Sequence, residues 1–580
     1  MLSLRMTARA GRWLAAVLSL APMLAFGADD PVSTDRLLPP TTFVYVTCPS
    51  VDTLKARFAE SSFGKLWNDS SMAAFREEVD TNLEKAAEQF QSKVGVPLFD
   101  VLGLPKGQAT FAVSTAGTNE LGIVLLADVG EDSDTLEAVL DKIDAQFEEH
   151  EAEKSSETVE GVEITLFKPK ASEDGGARGP RQVGYFVKDT FVVFSSSKGL
   201  LTAILERWDG EHSETFAENS VYQDTISACR DSADVESDLY YFIDPVALIS
   251  AGLSADPGQA MASALFNANL SKLGLDKLKA IGGASNLESE DFDSVGRTLI
   301  TIEQPITGIP KIFRMPARQQ SPPAWVDAAT EQYSSISWDP PGAYKAIGEI
   351  YEAMTGQVGG FDAAVDQIAS HPANPGIHPK KDIFDQMTGL VHMVGSHPAR
   401  SESISQQLLV AIGIKDDVQM QSLLEKLSAK AGGAMERRDF EGTTVYDFKT
   451  TESGDEDAPS PALAVSRNYL FISTHAPALE EALRGGTSSS NPLADSEEYQ
   501  AVAKHFPSQV STLSFAKSGA GIEALWNQAR SGAFEEQIEG FDFKTLPEFE
   551  TVKKFFAPSG SYIVPHEKGS IFVQFALPVE

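Results

Sequence analysis

Val-Glu-Gly-Val-Glu-Ile-Thr-Leu-Phe-Lys (residues 159–168) and Phe-Glu-Gly-Thr-Thr-Val-Tyr-Asp-Phe-Lys (residues 440–449) are two copies of one pattern, one in each half of the chain. A polar loop follows each copy, and then a second apolar run. The first is Val-Lys-Asp-Thr-Phe-Val-Val-Phe-Ser-Ser-Ser (residues 187–197), and the second Val-Ser-Arg-Asn-Tyr-Leu-Phe-Ile-Ser-Thr-His (residues 465–475). β-Branched and aromatic residues favour strands, and Glu-Gly or Lys-Asp-Thr between them has the chemistry of tight turns. The first copy therefore reads as three strands closed by a helix that carries Leu201, Ile204 and Leu205. Each half of the chain is built around one such copy.

Working outward, the first half opens with a strand at residues 42–47. Two helices follow, and the second steps through Met72, Phe75, Val79, Leu83, Ala86, Phe90 and Val94 at intervals of three or four. That spacing puts one apolar stripe on one helix face. Residues 109–113 and 121–129 read as a hairpin around Ala116-Gly117-Thr118-Asn119, and Leu136, Val139, Leu140, Ile143 and Phe147 mark another helix. Beyond the organising stretch come a strand at 239–243, a helical region through Leu278 and a closing strand near 298–302. The second half repeats this order. Tyr333 to Ser337 answers Phe43 to Thr47, the face Met420, Leu423, Leu424, Leu427 answers Leu136, Val139, Leu140, Ile143, and Tyr499-Gln500 answers Tyr222-Gln223. The long helix of the first half gives way at 355–379 to a shorter region interrupted by Gly and Pro.

Hairpins and meanders between helices imply antiparallel sheets. The expected fold class is α+β: two tandem homologous lobes, residues 37–304 and 326–580, each a mainly antiparallel sheet with helices packed on one face. Between them Pro305, Pro310, Pro316, Pro322 and Pro323 make residues 305–325 an extended, proline-rich linker. Lys311, Arg314 and Arg318 give that segment a local basic character in an acidic chain, suited to lying along acidic surfaces.

The chain has 580 residues, too many for one core, and carries 47 basic against 83 acidic side chains, a net charge of −36. Nucleic acid and anionic membrane surfaces need clustered Lys and Arg, so both are excluded as partners by charge. Arg5, Arg9 and Arg12 precede an apolar run over 13–26, and Ala25-Phe26-Gly27 supplies small residues for cleavage. Residues 1–27 read as a secretory signal peptide. Its removal takes three arginines and no acid and leaves a charge of about −39. No other run is long enough to span a bilayer, so the mature chain is expected to be exported, periplasmic or extracellular, without a transmembrane segment.

Signatures of chemistry are sparse. Gly-x-Ser-x-Gly, the phosphate loop and Gly-x-Gly-x-x-Gly are absent. Residues kept in both copies are apolar or belong to turns, and no His or Cys occupies equivalent positions in both. His371, His378, His392 and His397 cluster in one short interval, three of them before Pro. Imidazoles suit zinc or copper, but the spacing matches no helical ligand pair, so they read as solvated loop histidines. Glu173-Asp174-Gly175 and Asp455-Glu456-Asp457 lack calcium-loop spacing and read as exposed loops. Ser195-Ser196-Ser197-Lys198 contains a Ser-x-x-Lys whose second copy has no Lys. Cys48 and Cys229 are the two cysteines. In an exported protein they either form a disulfide or stand as small buried apolar groups. Their counterparts Trp338 and Phe506 would replace a bridge by an aromatic contact. No catalytic, cofactor-binding or metal-binding residue is assigned, and no cofactor is expected.

Leu37-Leu38-Pro39-Pro40-Thr41-Thr42-Phe43-Val44-Tyr45-Val46, followed by Ser62-Phe63-Gly64-Lys65-Leu66-Trp67, resembles exported bacterial proteins of the DUF3352 type, a domain of unknown function. The likeness is clearest over the opening of the chain, as far as Trp67. It implies export and an α+β build, and it carries no activity to any residue. The leading expectation is a non-enzymatic binding or scaffolding module for an unknown protein or envelope partner. The alternative is an exported enzyme, metal-dependent through the His371–His397 cluster, with its site between the lobes. A solute-binding protein would need alternating strand–helix units and parallel sheets, which the hairpins oppose.

Overall fold

The computed structural model describes residues 33–94, 103–116, 120–131, 133–149, 151–168, 182–210, 212, 214–230, 236–254, 257–287, 289, 291–396, 407–449, 459–488, 491–534 and 541–579. The chain divides into two units: Met1–Ala260 with Ala280–Leu299, and Met261–Lys279 with Ile300–Glu580.

The first unit holds β1 (Val44–Cys48), β2 (Ala109–Ala116), β3 (Glu120–Asp128), β4 (Glu153–Val159), β5 (Val162–Lys168), β6 (Val183–Lys188), β7 (Phe191–Ser195) and β8 (Leu239–Ile243). It also holds the greater part of β9 (Leu278–Leu287) and β10 (Ser294–Ile302). Antiparallel pairing gives the order β4-β5-β6-β7-β3-β2-β1-β8-β9. The second unit holds β11 (Gln332–Ser337), β12 (Met387–Ser396), β13 (Gln407–Ile414), β14 (Met435–Phe440) and β15 (Thr443–Phe448). It continues with β16 (Ala462–Ser466), β17 (Tyr469–Ser473), β18 (Thr512–Ala516), β19 (Ser559–His566) and β20 (Gly569–Ala576). Its order is β14-β15-β16-β17-β13-β12-β11-β18-β19-β20, again antiparallel throughout. From β4 to β9 and from β14 to β19, the pairing sequence is the same.

The repeated stretch forms the β4–β7 and β14–β17 meanders. Glu160 and Gly161, like Glu441 and Gly442, both take positive φ (47° and 77°, 48° and 82°), the turn geometry that matches the twist of a tight hairpin. Arg467 and Asn468 do the same between β16 and β17. Four strands stand where three were expected. The additional one, Glu-Lys-Ser-Ser-Glu-Thr-Val in β4, is exposed along almost its whole length, so no apolar alternation announces it.

Helices cover both faces of the sheet, not one. The helix Ser133–Glu149 lays Leu136, Val139, Leu140 and Ile143 on Val192, Phe194 and Ala127. Alternation sends Val193, Val124 and Gly122 to the other face, where the helix Lys198–Leu205 lies. A Cβ built on Gly122 would meet Leu200 Cδ1 at 2.4 Å. The second unit does likewise: Asp417–Lys430 packs Met420, Leu423 and Leu424 against Val465 and Ile414, while Ala476–Ser488 lies on β16 and β17 with Leu479 buried. One apolar stripe per helix is consistent with either arrangement, which is why the sequence does not distinguish them.

Each unit also carries a strap leading into its first strand. In the first, Leu37 and Leu38 are fully buried and Leu38 O accepts from Phe216 N at 2.8 Å. In the second, Trp325 and Val326 are buried and Val326 O accepts from Leu493 N at 2.8 Å. The proline-rich segment is the second strap. Pro310 sits in the short helix Gly308–Ile312, where an early proline costs no helical hydrogen bond. Its basic residues meet acids or carbonyls, Lys311 with Glu349 at 2.7 Å, Arg314 with Asp339 at 3.5 Å, and Arg318 Nη1 with Thr388 O at 3.2 Å. The shortened region at 355–379 holds one helix, Gly360–Ser370, set off from the preceding helix Pro340–Thr355 where Gly356 and Gly359 take φ of 74°.

The strand register corrects one detail of the repeat. β1 pairs Val44 with Val113 and with Ile243, and β11 pairs Gln332 with Gly395 and with Ala516. Tyr45, and not Phe43, therefore stands where Tyr333 does. The two runs are both rich in aromatic and β-branched residues, so sequence alone aligns them one pleat out of place.

Candidate functional site

Chemistry-bearing side chains gather where each strap meets its sheet. In the second unit β11 and β12 pair Ser335 with His392, which puts both on the face that also holds Tyr333. His392 is 1 % exposed. Its Nδ1 lies 2.8 Å from the Tyr333 hydroxyl, which also donates to Ser321 O of the strap at 3.3 Å. Its Nε2 lies 3.4 Å from the Tyr469 hydroxyl. Trp325 of the strap closes the group, edge-on to His392 at 6.1 Å and to Phe471 at 5.2 Å between ring centroids. One proton arrangement satisfies every partner: Tyr333 donates to Ser321, His392 Nδ1–H donates to Tyr333, and Tyr469 donates to Nε2. Burial pulls the His392 imidazole down to about 4, and it pushes the Tyr333 and Tyr469 phenols up. All three groups are therefore neutral at pH 7.

The first unit places hydroxyls at the matching register. β1 and β2 pair Thr47 with Thr110 at 2.7 Å between Oγ1 atoms. Thr34 of the strap reaches Thr110 at 2.8 Å, and Gln108 Nε2 donates to Thr34 at 2.9 Å and to Thr47 at 3.0 Å. Tyr45 is fully buried beside Phe216 and Tyr222. Both joints are hydrogen-bonded networks inside an aromatic surround, an arrangement that fixes a strap, and in the second the buried Trp325 Nε1 is left without a partner.

The three described histidines of the cluster have separate partners. His371 is exposed and accepts from its own turn at Ala373 N, and His378 Nε2 sits 3.0 Å from Asp366 Oδ1. His397 lies outside the described residues. His392 is no solvated loop residue: Leu-Val-His-Met-Val places it inside an apolar run, and that run is the middle of β12. This was the signal available in the sequence, since the other three histidines precede prolines. Among the described residues no three His, Cys, Asp or Glu side chains are placed to hold a metal ion. The two acidic loops at 173–175 and 455–457 also lie outside the described residues. Ser195 donates to Ile123 O at 2.9 Å, and Lys198 pairs with Glu157, so the Ser-x-x-Lys forms no dyad.

No disulfide joins Cys48 and Cys229. Both are free and buried, and burial pushes the thiols up to about 12 and about 11. Cys229 Sγ donates weakly to Gly282 O at 3.8 Å. The register also moves the counterpart of Cys48 from Trp338 to Ile336, so the expected replacement of a bridge by a Trp338–Phe506 contact does not stand. Those two rings serve separate contacts, Trp338 against Phe384 and Phe506 against Tyr562 and Phe575.

One surface stands apart. Leu121, Ile123 and Leu125 alternate along β3 on the face that Ala127 shares with the helix Ser133–Glu149, yet they are 38 %, 46 % and 47 % exposed. Register puts Leu408 and Val410 of β13 at the positions of Ile123 and Leu125. Both are half-buried, and Ile472 beside Val410 is exposed.

Residues 382–541 match the family model described as protein of unknown function (DUF3352). The family is the one named from residues 37–67, but the match falls elsewhere: it covers the part of the second unit from the end of the π-turn before β12 to beyond the helix after β18, and the opening of the chain is outside it. No curated protein and no solved structure matches the chain. Among the described residues no helix is long and apolar enough to cross a membrane.

Proposed function

We propose that the protein is an exported, non-enzymatic binding or scaffolding module made by internal duplication. Its lobes are residues 37–304 and 326–580, joined by 305–325, and a signal peptide at 1–27 directs export to the periplasm or beyond. The observation that carries this reading is the pairing order repeated in both units, together with what the repeat retained. Strap joints, turns and aromatic packing recur, and an apolar strip on β3 has its counterpart on β13. A duplicated catalytic centre would instead have left matched polar groups facing a cleft. The partner is an envelope protein that meets the apolar strips, since charge disfavours nucleic acid and anionic lipid.

The test is cross-linking in intact cells with the wild-type chain and with Ile123→Asp/Leu125→Asp and Leu408→Asp/Val410→Asp variants, beside amino-terminal sequencing of the mature protein. A discrete adduct that the variants lose supports a binding module. Equal adducts in all chains, or none, would remove the strips from the account, and an uncleaved amino terminus would remove export.

A further inference from the structure

We propose that the strap over residues 313–326 is an acid-sensitive latch, with His392 as the group whose protonation loosens it from the sheet of the second unit. The inference goes beyond the binding reading and does not depend on it. Strap and sheet are joined at this point by side chains, beside one backbone bridge in which Arg318 N donates to Val510 O at 3.0 Å and Val510 N to Arg318 O at 2.9 Å. Ser335 Oγ donates to Gln320 Oε1 at 2.6 Å, Gln320 Nε2 donates to Val510 O at 2.6 Å, Tyr333 reaches Ser321 O, and Trp325 caps the imidazole. Neutral His392 fits because Nδ1 donates and Nε2 accepts.

A second proton on the ring turns Nε2 into a donor. Tyr469 must then reverse its hydroxyl, and a cation stands in a site 1 % exposed. Among the described residues, the side chains bonded to or stacked on the ring are neutral: Tyr333 from β11, Tyr469 from β17 and Trp325 from the strap, with Ala411 of β13 paired beside it. Among the described residues no carboxylate compensates it, and desolvation alone accounts for its lowered affinity for protons. The charge packed behind the site is also positive. Arg467 precedes β17 with its guanidinium 5.8 Å from the Phe471 ring, against which Trp325 packs. The Trp325 contact opposes the effect, because a ring quadrupole attracts a cation.

The sign follows from linkage. The latched form holds His392 near 4 and the released form at its ordinary 6.5, so the released form binds more protons between those values. The latch is at full strength above pH 6.5 and weakens as pH falls toward 4. Between pH 6.5 and pH 4 the opening equilibrium rises by about 80-fold, toward a limit at lower pH of about 300-fold over its value at high pH. The first unit provides a contrast within the same chain, because Thr110 stands at the register of His392 and carries no titrating group.

Hydrogen exchange followed by mass spectrometry on the full mature chain, at pH 7.5 and pH 4.5 with correction for the intrinsic rate, tests this without any substitution. Peptides covering 313–326 are expected to gain exchange at acid pH by at least tenfold while β13 and β17 stay protected. Trp325 emission, isolated as wild type minus Trp325→Phe, should shift to the red over the same interval, and His392→Gln should abolish the shift. Unchanged strap exchange in the wild type would overturn the proposal, as would exchange rising equally through the whole unit. So would an acid transition that His392→Gln leaves in place, and if that variant does not fold, the wild-type exchange decides alone.

Discussion

Replacing Arg57 by Met isolates a buried carboxylate and makes a quantitative test of how the first unit is held together. Asp238 is 5 % exposed, just before β8, and accepts from Arg57 Nη1 at 2.9 Å and from Leu287 N at 2.7 Å. The pair ties the helix Val51–Glu60 to β8 and β9. Removing one partner of a fully buried pair costs about 3–5 kcal/mol, because the other charge remains without water. The Arg57 side chain is 28 % exposed, so solvent reaches the site and about 2–3 kcal/mol is expected. Asp238→Asn in the same chain keeps an acceptor for Leu287 N and removes the charge, and the double variant should lie within about 1 kcal/mol of wild type. Burial already pushes the Asp238 carboxyl up, and losing Arg57 pushes it further. A carboxyl raised in the folded state binds its proton there more readily than in the unfolded chain. The Arg57→Met deficit should therefore grow as pH rises above about 4 and shrink on acidification. Urea denaturation of the first-unit transition at pH 7 and pH 3.5 reads both effects. A loss below about 0.5 kcal/mol, or a deficit indifferent to pH, would refute the reasoning.

Leu38→Ala should cost about 3 kcal/mol, since a fully buried strap side chain leaves a cavity, and thermal unfolding measures it. Gly283→Ala should destabilise by about 1–3 kcal/mol, because its Cβ would fall 2.0 Å from Arg297 O, a backbone atom that cannot yield without breaking the ladder. Gly252→Ala, in the helix Pro245–Ser254 with nothing within 4 Å of the new Cβ, should stabilise by about 0.5–1 kcal/mol. Thiol titration without reductant should find Cys48 and Cys229 unreactive in the folded protein and both reactive in denaturant. A denatured chain with no free thiol would contradict the unbridged state.

What the sequence made legible is what repeats with a period. The stripes of Ala73–Val94 and Ser133–Glu149, the Glu-Gly turns and the alternating runs of β5, β7, β15 and β17 announce themselves, because packing demands an apolar residue at fixed intervals. β4 and β14 escape for the converse reason. They are outer strands of their meanders, and Glu-Lys-Ser-Ser-Glu-Thr-Val and Met-Glu-Arg-Arg-Asp-Phe carry the charges that blunt a sheet edge. The straps escape too. Proline fixes their backbone as extended, but nothing local says that Trp325 or Leu37 will be sealed inside the unit that follows. The joint at His392 needed the pairing of β11 with β12, a relation between Ser335 and a position far along the chain that no local window contains.

The two joints differ within one and the same strand-pairing order. Both hold a strap by hydrogen bonds to the first two strands of the unit, and both must satisfy every polar group they bury. Threonine at position 110 meets that demand with one hydroxyl shared among Thr34 and Thr47, and its donors can rotate to suit any partner. Histidine at position 392 meets it only in one protonation state and with one assignment of donors. At neutral pH both residues are held, since the hydroxyl of Thr110 and both ring nitrogens of His392 find partners. Acid distinguishes them, because only the imidazole can take up a proton that its surroundings are not built to receive. Exchange of Thr110 and His392 between the joints states the argument most sharply. The Thr110→His chain should gain an acid-labile first strap, read by exchange at residues 33–40, and the His392→Thr chain should lose that lability in the second. Lability that stays with the second strap whatever residue occupies position 392 would place its origin in the strap sequence and not in the joint.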